Sequence, residues 1–151
     1  MRSLLVKRLS PLDALAIESP TTGVGIPDVN CTEGWIECKW LKNWPKSADT
    51  RPVKFKHPLT KSQQVWSWRR ERLGGQALIC AKVSTVWFFW SGRKIKEDNL
   101  WDNMTRPQMY ENAVFVVTGK LETAPLVAFL RSRAETLQGV KPSLSIGGEQ
   151  G

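Results

Sequence analysis

The segment Gly25-Ile26-Pro27-Asp28-Val29-Asn30-Cys31-Thr32-Glu33-Gly34-Trp35-Ile36-Glu37-Cys38-Lys39-Trp40 constrains the fold of this chain more than any other. β-Branched and aromatic residues on either side of Glu33-Gly34 predict two strands folded back on each other, Ile26 to Thr32 and Trp35 to Trp40. Side chains alternate along a strand, so Trp35, Glu37 and Lys39 share one face and Ile36, Cys38 and Trp40 the other. An acid and a base therefore lie two residues apart on one face, beside a strand that begins Pro27-Asp28. A purely structural hairpin rarely gathers such groups at its centre, because burying charge costs free energy. Two converging carboxylates can hold a hard cation such as Mg²⁺, which takes oxygen ligands and keeps several waters. A neighbouring ammonium can orient an attacking water or neutralise charge that builds on a phosphate.

Pro27-Asp28, eight intervening residues and then Glu37-Cys38-Lys39 form a pattern that resembles the PD-(D/E)xK nuclease superfamily. Around it, Ile17-Glu18-Ser19-Pro20 and Leu59-Thr60-Lys61-Ser62-Gln63 resemble the VRR-NUC (virus-type replication-repair nuclease) branch, common in bacteriophages. The resemblance covers roughly residues 15 to 92. It implies an α/β fold with a restriction-endonuclease-like core, a mixed β-sheet flanked by helices. It also implies a phage-encoded DNA endonuclease that needs Mg²⁺, with Mn²⁺ able to substitute. Branched DNA such as Holliday junctions or replication forks would be the substrate, and the host cytoplasm the place of action. Asp28 and Glu37 would bind the metal, with the Cys38 backbone carbonyl, and Lys39 would act on the water or the transition state. Related enzymes often use one more acid upstream of the Pro-Asp pair. Glu18 is the candidate, its alternative being a solvated residue at a strand end. Two other readings stand beside this one: a non-catalytic DNA-binding protein on the same fold, and a sequence-specific restriction-type endonuclease. A homodimer that places two sites on two strands is compatible with any of them.

Charge points the same way. The chain carries a net +8, and its distribution is lopsided. Lys39 to Arg72 holds ten Lys or Arg against Asp49 and Glu71, while the rest of the chain balances twelve against twelve. A surplus confined to 34 residues directly after the acidic pair suits a polyanion. The candidate phosphate contacts are Lys42, Lys46, Arg51, Lys54, Lys56, Lys61, Arg69 and Arg72. Within Leu41 to Pro58, Lys and Pro interleave with Trp44 and Phe55, and three prolines leave no helical or strand period. A long basic loop or arm is expected there. Its aromatics either stack on bases or pack the arm onto its own domain.

Composition narrows the chemistry. His57 is the sole histidine, which excludes His-based triads and HNH-type catalysis and leaves little for zinc. Cys31, Cys38 and Cys80 lack CxxC spacing, fall in expected strands, and read as reduced, buried small hydrophobes of a cytosolic protein. No apolar run reaches the length of a membrane span, and Met1 to Lys7 lacks the apolar core of a signal peptide.

The remaining elements follow from local pattern. Residues 1 to 9 suit a short amphipathic helix with Leu4, Leu5 and Leu9 inward, and Ser10-Pro11-Leu12-Asp13 has the form of a capping box. The clearest helix follows Thr60 as N-cap and stops at Gly74-Gly75, with Leu59, Gln63, Trp66, Arg70 and Leu73 along one face toward core and site. Gln63, three after Thr60, either closes a capping box or serves the site, the role that the resemblance implies. Strands are expected at Gln76 to Lys82 and Thr85 to Trp90 around a Val83-Ser84 turn, with Leu78, Cys80, Val86, Phe88 and Phe89 in the core. Arg93 to Met109 reads as polar and turn-rich, anchored by Leu100 and Trp101. A strand at Ala113 to Val117 and a helix from Glu122-Thr123 to about Gln138 complete one domain, residues 1 to 138. Residues 139 to 151 read as a disordered tail.

Overall fold

The computed structural model describes residues 1–17 and 25–139. Helix α1 (Arg2–Arg8) and a 3-10 turn (Ser10–Leu12) lead into strands β1 (Leu15–Ala16), β2 (Val29–Cys31) and β3 (Gly34–Leu41). Helix α2 (Lys61–Arg72) connects β3 to β4 (Ala77–Val83), and β5 (Val86–Ser91) follows. Helices α3 (Gly92–Glu97) and α4 (Arg106–Asn112), strand β6 (Phe115–Thr118) and helix α5 (Thr123–Gly139) complete the order. Among the described residues the six strands form one sheet in sequence order. Only the β3–β4 pair is parallel, so the expected mixed sheet flanked by helices is what forms. A parallel pair needs a long crossover, which residues 42 to 76 and their helix supply. None of the described helices is long and apolar enough to cross a membrane.

Strands β4 and β5 are buried nearly throughout, and their alternation divides the core into two layers. Leu78, Cys80, Trp87 and Phe89 face α1 and α5, where Leu5, Leu9, Leu126 and Leu130 meet them. Ile79, Ala81, Val83, Phe88 and Trp90 face the other way, toward α3, α4 and the loop after β3. That loop is the expected basic segment, and it is pinned rather than free. Ala48, Val53 and Leu59 are buried, the Val53 N–H donates to the Met104 carbonyl at 2.8 Å, and the Phe55 N–H to the Asp102 carboxylate at 2.9 Å. Trp44 packs edge-on against Phe88 and Phe55 stacks on Trp101, ring centroids 5.9 and 4.4 Å apart. These two aromatics thus serve the domain's own packing.

Several expected details shift. The hairpin turn is Thr32-Glu33, since Cys31 pairs with Gly34, and the second turn is Ser84-Thr85, since Val83 pairs with Val86. The Ser10 capping box does not form. That segment makes a 3-10 turn with no side-chain cap and ends on Asp13 at φ 52°. Arg93 to Met109 is not irregular but carries α3 and most of α4. The latter is introduced by a capping box at Thr105-Arg106-Pro107-Gln108, a signal present in the sequence. The inward face of α2 is also rotated from the expected one. Ser67 and Glu71 are buried, whereas Arg70 and Leu73 are exposed. Ser67 is small because Gly92 lies against it, with space for no further carbon. Gly139 ends α5, and the rest of the expected tail lies outside the described residues.

Candidate active site

The hairpin brings its acids together because β2 starts where β3 is still in mid-course. Val29 pairs with Ile36, which sets Asp28 beside Glu37 just past the last β2–β3 pair. Asp28 then caps the neighbouring strand, its Oδ2 accepting the Cys38 N–H at 3.0 Å. Glu37 and Lys39 point together under α2, as alternation requires. Their partners in β4 are Ile79 and Ala81, so an apolar strand forms the inner wall.

Glu37 is 2% exposed. Its Oε2 takes two donors, Lys39 Nζ at 3.2 Å and Gln63 Nε2 at 3.0 Å. Its Oε1 is buried and receives no hydrogen-bond donor among the described residues, an arrangement that native interiors avoid. Burial first, and the Asp28 charge second, raise the Glu37 carboxyl from its ordinary 4.5 to about 7, against the downward pull of Lys39. Asp28 is the wetter of the two acids, its side chain 31% exposed, with Arg2 Nη1 3.9 Å from its Oδ1.

Gln63 closes the capping box and also reaches Glu37. Its Oε1 accepts the Thr60 N–H at 2.9 Å and its N–H donates to Thr60 Oγ1 at 3.1 Å, a complete capping box. The remaining end of the same amide, Nε2, reaches Glu37. One side chain therefore ties the start of α2 to the floor of the site. Gly25 helps to hold the other wall. At φ 84° it lies so close to the Ser62 carbonyl that a Cβ could not fit, which lets the segment before Pro27-Asp28 rest on the first turn of α2.

Asp28, Glu37, Lys39 and Gln63 thus meet at one place. Cys38 joins them only through its backbone. Its thiol lies on the opposite face, against the core, and is pushed well up by burial and by the two nearby acids. Glu18 lies outside the described residues. Lys42, Lys46, Arg51, Lys56, Lys61, Arg69 and Arg72 are exposed. Lys54 is exposed too, but its ammonium donates to the Asp102 carbonyl at 2.7 Å, and Arg72 lies over the Trp68 ring at 4.9 Å. Arg2 beside Asp28 was not foreseen, and no spacing from the Pro-Asp pair points to the second residue of a chain.

Comparisons with protein-family models, with curated proteins and with solved structures find no match. Among the described residues no three His, Cys, Asp or Glu gather as a metal-binding group; the site offers two carboxylates.

Two carboxylates, one with a buried and unpartnered oxygen, fit a divalent cation that fills its remaining positions with water. A cation against Glu37 Oε1 would partner that oxygen and offset both the burial and the Asp28 repulsion that raise the Glu37 carboxyl. The donors are all oxygen, which suits Mg²⁺ or Mn²⁺ over a softer metal. Lys39 and Gln63, both on Oε2, leave Oε1 as the free side.

Proposed function

We propose that the chain is a metal-dependent DNA endonuclease on a restriction-endonuclease-like core, acting on branched DNA. The observation that carries this reading is the buried Glu37 Oε1 beside Asp28, which no donor among the described residues reaches, with Lys39 alongside. Asp28 and Glu37 would hold Mg²⁺, with the Cys38 carbonyl, which leaves β3 on the same edge as the N–H that Asp28 accepts. Bound there, the ion would supply a Lewis acid for a phosphoryl oxygen and ease deprotonation of the attacking water.

The chain's own residues do the rest. Lys39 keeps an ammonium within reach of the reacting phosphate and offsets charge as it builds. Gln63 holds Glu37 in one orientation, so that Oε1 rather than Oε2 faces the cation. Arg2 and the exposed lysines after β3 would anchor the flanking phosphates. The preference for branched over linear DNA, and the phage setting, rest on the sequence resemblance.

The test is cleavage of labelled linear, nicked, forked and four-way DNA by purified protein in Mg²⁺, Mn²⁺ or EDTA. Cutting is expected with metal alone, and Lys39→Met should slow it by about 100-fold or more. If the parent protein cuts none of these, or Asp28→Asn cuts as fast as the parent, the assignment fails. Binding without cutting would leave a DNA-binding protein on the same fold.

A further inference from the structure

Of the eight tryptophans, Trp40 alone is left open, at 54% exposure. Trp87, Trp90 and Trp101 are buried, and Trp35, Trp44, Trp66 and Trp68 are half-buried in contacts with other rings or with cations. Leaving a large indole in water forgoes the burial that such a side chain normally gains. Trp40 lies in a strand, directly after Lys39, where β3 runs on beyond the end of β2. Among the described residues no strand pairs with that edge of β3 there.

Trp40 forms one wall of a cavity of about 330 Å³ completed by Leu41, Lys42, Asn43, Lys56 and His57. That volume is at the lower end of the roughly 300–1,000 Å³ of small-ligand clefts. The lining joins a flat π-face to two ammoniums and to an amide with both donors and acceptors. A nucleobase with its phosphate matches each of these features: the local surplus of positive charge favours an anion over a neutral or cationic guest, and the indole face favours an anion that carries a ring.

We propose that the Trp40 cavity receives an unpaired nucleobase one or two nucleotides from the phosphate held at Asp28 and Glu37. Lys39 and Trp40 are neighbours on opposite faces of the same strand end, so a DNA strand that crosses the open edge meets both. A base stacked within duplex cannot offer its face to an indole, whereas one at a fork or junction can. The cavity would therefore select branched or frayed DNA without reading its sequence, because every base has a π-face. This deepens the nuclease reading and rests on it for the position of the scissile phosphate.

Binding in EDTA separates the two. Affinities for a forked DNA and for a fully paired duplex of equal length are compared for the parent protein, Trp40→Ala and Trp40→Phe, with thermal melts to verify folding. Trp40→Ala should weaken fork binding roughly 5- to 150-fold and leave duplex binding unchanged, with Trp40→Phe close to the parent. The proposal is overturned if the parent does not favour the fork, or if Trp40→Ala weakens both DNAs alike or neither. A change in sedimenting mass on Trp40→Ala would assign the patch to a second copy of the chain and also overturn it. Loss of fork preference in a protein that fails to cleave would uphold the base cavity and refute the nuclease.

Discussion

Glu37 shows what a single residue contributes to this site and what it costs. Its carboxyl takes up protons near pH 7 in the folded chain and near 4.5 when unfolded. Between those values the folded state binds more protons than the unfolded one, so stability is present below about 4.5 and lost as pH rises through 7. For this group the loss is on the order of 3 kcal/mol. In EDTA, denaturant unfolding should show stability falling from pH 5 to pH 8, and Asp28→Asn should flatten the fall by removing a charge that raises Glu37. Mg²⁺ competes with the proton, so it should raise the melting temperature more at pH 8 than at pH 5.5. An equal Mg²⁺ effect in Asp28→Asn would refute the paired-carboxylate site. Gln63→Glu provides a second check. A carboxylate can still close the capping box, but its other oxygen would stand against Glu37 Oε2. Cleavage should be lost, and the metal-free melting temperature should drop at pH 8 yet recover at pH 5. A mere cap would leave both unchanged.

At the scale of elements, α2 is held by polar contacts where most helices use an apolar stripe. Glu71, 3% exposed, is the hub. Its Oε2 accepts the Ala77 N–H at 3.0 Å and Arg133 Nη1 at 2.6 Å, and its Oε1 accepts the Ser91 hydroxyl and Arg133 Nη2. Arg133 also donates to Gln76 Oε1 at 3.1 Å, so α5 clamps α2 and the start of β4. Since Gln63 hangs from the other end of α2, this clamp positions the site from a distance. Removing one partner of a buried pair typically costs about 3–5 kcal/mol. Arg133→Met should destabilise by that order, and Glu71→Gln with Arg133→Met should recover part of the loss. A change below about 1 kcal/mol for Arg133→Met, read from denaturant midpoints, would show that the clamp is idle.

For the whole molecule, the surplus of the basic segment survives folding: buried Lys39 leaves the surface tally together with buried Glu71. Glu71, one of the two acids in the basic segment, is buried and neutralised by Arg133 from outside that segment. Lys42, Lys46, Arg51 and Lys56 are displayed by a loop whose backbone is pinned, which would reduce the entropy lost if the surface binds a polyanion. Each Lys→Ala change at 42, 46 or 56 should lower the salt slope of DNA binding by about one unit, equally for all sequences. Lys54→Ala should do less, because that ammonium already serves Asp102. A triple mutant of 42, 46 and 56 with the parent's salt dependence would dissociate this surface from DNA.

The sequence by itself determined the hairpin, the shared face of Glu37 and Lys39, the α2 cap at Thr60 and the buried strands β4 and β5. These are set by alternation and by capping, which act over a few residues. Tertiary structure decided what depends on distant partners. Ser67 and Glu71 turn inward because Gly92 and Arg133 are there to receive them, against a helical face that read as Trp66, Arg70 and Leu73. Gln63 closes its cap and reaches Glu37 at once because β3 passes within reach of its amide. Trp44 and Phe55 pack inside because Phe88 and Trp101 offer them rings, while Trp40, four residues past the last β2–β3 pair, is left 54% exposed. Local pattern dictates which face a residue takes, but only the meeting of elements far apart in the chain decides whether that face is buried.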